Sequence, residues 1–292
     1  MLDCRVGVLG ASSLVGRYVL TLLAQIRCSA VAFSRKAQIG TPGGAAEWSQ
    51  ISSPNSKSVD VTSPISHWIC VAPIWVLPDY FSLIEASGAQ RVVALSSTSR
   101  ITKVASGDTA ENAVAAKLIE SETRVQAWAE QHGIEYVVLR PTLIYGLGRD
   151  KNISEIARFI RRFGFFPLLG RAQGLRQPIH AEDVAAACVA ALQAPDAANR
   201  AYNISGGETL AYREMVARVF AALGRPVRLV VVPLWAFRLA VAILRSLPRY
   251  RHWSAAMAER MNRNLVFDHA EATRDLGFGP RGFALTVEDV QR

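Results

Sequence analysis

The run Val6-Gly7-Val8-Leu9-Gly10-Ala11-Ser12-Ser13-Leu14-Val15-Gly16 closes an apolar stretch and opens a helical one. A glycine at position 10 lets the chain turn tightly out of a strand, and one at position 16 lets the next helix pack close to the sheet. The N–H groups at that helix start, aided by the helix dipole, make a site for a phosphate-type anion. In the spacing Gly7-x-x-Gly10-x-x-Ser13-x-x-Gly16, Ser13 stands where glycine is usual; it is small and can donate to phosphate. We therefore expect Gly7, Gly10, Ser12, Ser13, Leu14, Val15 and Gly16 to hold the pyrophosphate of a nicotinamide dinucleotide. The competing reading is a glycine turn that serves packing alone.

The end of the second strand decides which dinucleotide. An adenosine ribose with free hydroxyls calls for Asp or Glu there. The chain has Ser34-Arg35-Lys36 instead, with no carboxylate before Glu47. Two cations and a hydroxyl suit a 2′-phosphate, which arginine grips with two parallel N–H bonds. The expected cofactor is NADP(H), with NAD(H) as the alternative. The bland reading of Arg35 and Lys36 is surface charge after a strand.

These residues need elements to position them. Short β-rich runs alternate with helical stretches in the first half, the pattern of a parallel sheet covered on both faces. Strands are expected at Arg5–Leu9, Ala30–Phe33, His67–Ala72, Arg91–Ser96 and Tyr136–Leu139, the last ending before Arg140-Pro141 because a residue before proline is extended. Helices are expected at Leu14–Ile26, Leu77–Ala86 and Glu111–His132. The Gly-, Pro-, Ser- and Thr-rich stretch 40–66 gives no clear third strand. Further on, helices are expected at Ile153–Phe163, Ala181–Gln193 and Ala211–Leu223, with strands at Pro178–His180 and Tyr202–Ile204. The division is residues 1–147 as a dinucleotide-binding core, and 148–292 completing that core over about 177–205 and forming a smaller lobe.

Bulk properties bound the function. The 292 residues suffice for a large core, and half of them are hydrophobic. Cys4, Cys28, Cys70 and Cys188 show no CxxC or metal-ligand pairing, so no metal site is expected and buried reduced thiols fit best. The N-terminal MLDCRVGVLG lacks the pattern of a signal peptide, so a cytoplasmic protein is expected. The net charge of +9 is concentrated between Arg225 and Arg274. Such a region suits phosphorylated ligands or an anionic membrane surface, or is simply a solvated face. No nucleic-acid motif accompanies it, and the tryptophans are too dispersed for a base-stacking platform. Leu229–Leu247 is the most apolar segment, but Pro233, Arg238 and Arg245 interrupt it. A charge at mid-bilayer costs roughly 2.5–3.5 kcal/mol, which argues against a span. A core-packed helix is the expectation, and an interfacial membrane helix the alternative.

Four stretches, in order, carry a resemblance to the extended and atypical short-chain dehydrogenase/reductase superfamily, the NAD-dependent epimerase/dehydratase group. They are Val8 to Gly16, Val93-Ala94-Leu95-Ser96-Ser97-Thr98-Ser99, Leu139-Arg140-Pro141-Thr142-Leu143-Ile144-Tyr145-Gly146 and Gln177-Pro178-Ile179-His180-Ala181-Glu182-Asp183-Val184-Ala185. Tyr202-Asn203-Ile204-Ser205-Gly206-Gly207-Glu208 is similar to the family's later strand and glycine turn. The resemblance implies a Rossmann-type α/β fold, a doubly wound parallel sheet with a smaller, mostly C-terminal substrate lobe. It also implies a small-molecule substrate, often a nucleotide-sugar, and a homodimer. It places Ala72, Ser96, Ser97, Pro141 and Thr142 beside the cofactor, and Asn152 and Arg176 beside the substrate.

The same resemblance implies a Ser/Thr–Tyr–Lys relay, in which the tyrosine handles the proton on the substrate oxygen while hydride moves to or from the nicotinamide. The hydroxyl role falls on Thr98 and the lysine on Lys117. The tyrosine would stand four residues before Lys117, where this chain has Ala113, and no tyrosine lies between Tyr80 and Tyr136. Three readings stay open: an enzyme whose acid/base comes from Tyr145, Glu111, Asp108 or His180; a reductase or isomerase drawing its proton from water; or a cofactor-binding protein without catalysis. His180 is expected to be structural, and Asp183 to favour the positive end of its helix.

Overall fold

The computed structural model describes residues 5–35, 46–51, 64–104, 108–235, 237 and 260–291. Cys4, Lys36 and residues 238–247 of the apolar segment lie outside the described residues.

The first half alternates strand and helix as its apolar runs demand. Strand β1 is Arg5–Leu9, β2 Ser29–Ser34, β3 Ala46–Gln50, β4 His67–Cys70, β5 Arg91–Leu95 and β6 Glu135–Pro141. Between them run α1 (Leu14–Gln25), α2 (Phe81–Ala86), the short α3 (Ser99–Thr102) and the long α4 (Thr109–His132). The second half continues with β7 (Ile144–Tyr145), α5 (Ile153–Phe163), β8 (Phe166–Leu169), β9 (Leu175–Arg176), β10 (Ile179–His180) and α6 (Ala181–Gln193). It then forms β11 (Arg200–Ile204), β12 (Leu210–Ala211), α7 (Tyr212–Ala222) and β13 (Leu229–Val232).

Seven strands form one parallel sheet in the order β11-β6-β5-β4-β1-β2-β3. Strand order reverses between β1 and β4, which makes a doubly wound, Rossmann-type sheet with its crevice at that point. Two cores cover its faces. Val15, Val19 and Leu23 of α1 recur on one helical stripe and pack with Val184, Ala187 and Cys188 of α6 on one side. On the other, Leu118, Val125 and Ala129 of α4 pack with Trp68, Val92 and Val138. Strand β5 is buried along its whole length, as a central strand covered on both faces should be. A third core joins α5, β8 and α7 to Tyr145 and Phe283.

Four expectations are corrected. The third strand falls at Ala46–Gln50, a polar edge strand without the apolar run that marks a central one. Strand β6 does not stop at Leu139: Pro141 pairs in register with Ile204, and its carbonyl accepts from the Thr98 N–H. The helix expected from Leu77 begins instead as a 3-10 turn over Ile74–Tyr80 containing Pro78, which has no N–H to donate. Finally, Leu229–Val232 is not the start of a helix. Its three valines form β13, parallel to β8, as β-branched side chains favour. Among the described residues, no helix is long and apolar enough to cross a membrane.

Candidate functional site

Because the seven strands are parallel, the loops after β1, β2, β4, β5 and β6 gather at one edge of the sheet. Gly10 sits there with φ +81°, and a Cβ on it would stand 2.6 Å from the Ala72 nitrogen. The turn after β1 and the segment after β4 thus approach as closely as only glycine allows. A Cβ on Gly16 would fall 2.5 Å from the Gly10 carbonyl, so α1 also starts hard against its own turn. Ser13 caps α1: its Oγ accepts from the Gly16 N–H at 3.0 Å. The first helical N–H groups, those of Leu14 and Val15, have no carbonyl within the helix to bond. This cradle fits a pyrophosphate.

Two of the expected residues act otherwise than as ligand contacts through their side chains. Gly7 is inside β1, and a Cβ there would strike the Trp68 ring at 2.6 Å. It is a packing glycine, and the turn reduces to Gly10-x-x-Ser13-x-x-Gly16. The Val15 side chain is buried in the core, leaving only its backbone for a ligand, while Ser12 is exposed at the turn.

At the end of β2, Ser34 is half-buried and Arg35 exposed. Glu47, the first carboxylate after β2, pairs with Arg5 instead. Arg5 opens β1 and Glu47 lies near the start of β3, so this carboxylate belongs to the opposite edge of the sheet.

The other half of the edge is built around a buried ionic knot. Glu122 accepts from Arg140 Nη2 at 2.6 Å and Nε at 3.1 Å, from Ser96 Oγ at 2.5 Å, and pairs with Arg100 at 3.3 Å. Those groups come from α4, β6, the end of β5 and α3. The knot therefore fixes the elements that carry Lys117, Pro141–Thr142 and Thr98. Ser96 spends its hydroxyl on Glu122, and Ser97 Oγ accepts from the Ser99 N–H. Thr98 is buried and donates from Oγ1 to the Pro141 carbonyl at 3.1 Å. Thr142 donates to the Ile204 and Gln177 carbonyls, clamping the sheet end to the second half of the chain. Lys117 lies exposed on α4, its Nζ 4.9 Å from the Trp75 ring centre, with Ala113 one turn earlier and also exposed.

None of the substitute proton carriers stands open beside Lys117. Tyr145 is wholly buried against Phe283 and His180, and its hydroxyl makes no hydrogen bond of good geometry. Burial, with Asp289 and Asp183 adding to it, pushes that phenol up to about 12. His180 caps α6, its Nδ1 accepting from the Glu182 N–H, and its Nε2 faces Asp289 at 3.6 Å. Asp108 caps α4 by accepting from the Ala110 N–H, and Glu111 is buried in an ion pair with Arg260. Asp183, in the first turn of α6, also accepts from Arg281 Nε at 2.8 Å. Burial pushes the Cys70 and Cys188 thiols up to about 12, which leaves them unreactive.

Arg176 is buried and braces the second half of the chain internally. It donates to the carbonyls of Leu175, Arg263 and Arg260 and lies 5.5 Å from the Tyr212 ring. Lys103 and Arg263 stand in the same region, Arg263 donating to the Thr102 carbonyl. Burial, reinforced by Arg260, lowers the Lys103 ammonium below its ordinary value. This cationic corner faces the end of β5 and the start of α4. Asn152 is not part of it: it is exposed at the start of α5, where Asp150 supplies the capping oxygen. Among the described residues, no group of three His, Cys, Asp or Glu is placed to hold a metal.

Sequence reasoning missed Glu122, Trp75, Arg260 and Asp289. Glu122 had a signal: it falls on the stripe Ala115-Leu118-Glu122-Val125-Ala129, where a lone carboxylate among core residues needs a partner.

Residues 79–205 match the sequence profile described as the NAD dependent epimerase/dehydratase family. A UDP-glucose 4-epimerase of Vibrio cholerae is 25% identical over 174 residues, 58% of this chain and 51% of that protein. The aligned part spans about half or less of the curated relatives' own lengths. Among solved structures, a Thermotoga maritima UDP-glucose 4-epimerase with UDP-glucose superposes with a TM-score of 0.70 at 14% identity, covering 98% of this chain and 95% of that one. MoeE5, solved with UDP-glucose and NAD, gives a TM-score of 0.66 at 21% identity over 98% and 95%.

Proposed function

We propose that the chain is a member of the NAD dependent epimerase/dehydratase family, that it binds NADP(H) in preference to NAD(H), and that it acts on a nucleotide-sugar or related carbonyl compound without the family's usual tyrosine. The observation that carries this reading is the cradle of Gly10, Ser13 and Gly16 against Ala72. The preference for the phosphorylated dinucleotide is supported by Arg35 at the end of β2 and by the capture of Glu47 at the other edge.

A bound nicotinamide supplies a hydride donor or acceptor. The chain's own contribution is to orient and to attract. The Glu122 knot fixes the loops around the site, Lys117 offers a cation beside Trp75, and Pro141 and Thr142 form the wall. Lys103 and the exposed Arg263, beside Arg176 and Arg260 that are spent on backbone carbonyls and Glu111, suit the diphosphate of a nucleotide-sugar. With Ala113 in the tyrosine's place and Thr98 held by Pro141, the proton on the substrate oxygen comes from water, so turnover is slow.

Mixing the protein with NADPH and a panel of 4-keto UDP- and dTDP-sugars and small carbonyls, while following nicotinamide absorbance, tests this reading. Slow oxidation, lost in Lys117→Ala, is the expected result. Ala113→Tyr sets a phenol one turn before Lys117 and should raise the rate by about a hundredfold, the low end of what a positioned acid provides. The same two features, Ala113 and the held Thr98, favour a second reading, a dinucleotide-binding protein without catalysis. Tight NADPH binding with no turnover on any member of the panel would establish that reading instead.

A further inference from the structure

Strand β13 and the turn before it expose an unusual amount of apolar surface. Val227, Val230 and Val231 are each about half exposed or more, and Trp235 is 71% exposed. Phe163, at the end of α5 beside β8, is 51% exposed. Exposed apolar side chains gathered along one short segment mark an interaction site more readily than ones scattered singly.

Two observations say what kind. First, Val230 and Val231 are successive strand residues, so their side chains leave opposite faces of β13. Leu229 and Val232 at its ends pack inward against the cores, while the middle of the strand is open on both sides. A rigid protein partner covers one face; a soft phase can surround a protruding ridge. Second, both strands of this two-stranded sheet come from stretches without acid. No Asp or Glu occurs in residues 156–181 or 215–258. The first stretch carries Arg158, Arg161 and Arg162 around Phe163, and the second carries Arg225 and Arg228 beside Val227. Arg162 and Arg228 are exposed.

We propose that the β8–β13 ridge docks on an anionic lipid surface, with Trp235 and Val231 entering the headgroup layer and Arg162 and Arg228 meeting the lipid charges. An amphipathic tryptophan favours that layer, and basic side chains add about 1 kcal/mol each at an anionic surface, a factor of about five in partition. None of these residues belongs to the dinucleotide edge, so the proposal stands independently of the cofactor.

Flotation of the full chain with vesicles of phosphatidylcholine, with or without phosphatidylglycerol, tests it. The protein should float with the anionic vesicles at low salt, less at high salt, and not with phosphatidylcholine alone. Arg162→Gln and Arg228→Gln should each lower the partition about fivefold, and Trp235→Ser with Val231→Ser should abolish it, while circular dichroism melting shows the variants folded. Should a variant misfold, brominated lipid offers a second reading: it should quench wild-type fluorescence more than that of Trp235→Phe. Failure to float with anionic vesicles would overturn the proposal, as would flotation unchanged in all four substitutions. A dimer in sedimentation velocity without lipid, dissolved by Val231→Ser, would assign the ridge to a second copy and overturn it as well.

Discussion

Arg35 and Asp289 show how differently single residues can be read. Arg35 is read from type and place alone: it is a cation at the end of β2, where an NAD site would carry a ribose-binding carboxylate. If it grips a 2′-phosphate, Arg35→Ala should weaken NADPH at least tenfold, the loss of about 1.5–3 kcal/mol expected for a charged hydrogen bond, and leave NADH unchanged. Calorimetric titration of both nucleotides checks this. Asp289 was harder to read: Thr286, three residues before it, is a local capping partner, but His180 and Leu147 come from distant parts of the chain. Burial raises its carboxyl, but the bonds from His180, Thr286 and Leu147 outweigh that and hold it down at about 2, against an ordinary 3.8. A depressed acid stabilises the fold above its unfolded value and loses that contribution as pH falls through its folded one. Asp289→Asn should therefore lower the melting temperature at neutral pH, and the gap to wild type should close between about pH 4 and pH 2. A gap independent of pH would show that the carboxylate charge is not what matters.

At the scale of elements, the sequence was most readable where one helix or strand explains itself. Helix α1 is legible from Ser13, a capping residue just before an apolar stripe, and α5 and α6 from their apolar periodicity. The cap is testable: Ser13→Ala should cost about 1 kcal/mol in denaturant unfolding, whereas Ser13→Gly should cost only a few tenths. Elements whose reason is a neighbour were not legible. Strand β3 is polar and forms because β2 offers it an edge, and β13 forms because β8 lies parallel to it. The Glu122 knot is the strongest case, joining four elements through one buried carboxylate. Removing one partner leaves the others buried and unpaired, so Glu122→Ala should destabilise the protein by about 3 kcal/mol or more. Adding Arg140→Met to it should recover part of that loss; a double variant as unstable as the sum of the singles would deny the coupling.

For the whole molecule, the doubly wound sheet followed from the alternation of strands and helices, and its strand order puts the described candidate cofactor residues other than Gly7 at or near one edge. What the alternation could not convey is how completely the possible proton carriers are committed elsewhere. Tyr145 is sealed in a core, His180 and Asp108 cap helices, and Glu111 holds Arg260. Among the described residues, the turn of Gly10, Ser13 and Gly16 stands as a cradle, and the candidate proton carriers are buried or bound to other partners. Everything proposed for the site depends on the cradle of Gly10, Ser13 and Gly16. The most direct test is calorimetric titration of the folded chain with NADPH, NADP⁺, NADH and NAD⁺, alongside Gly10→Ala, which forces a Cβ against Ala72. The phosphorylated pair should bind, the other two should bind more weakly or not at all, and the variant should bind none. A folded wild-type protein that binds none of the four would contradict the reading of this turn as a cradle.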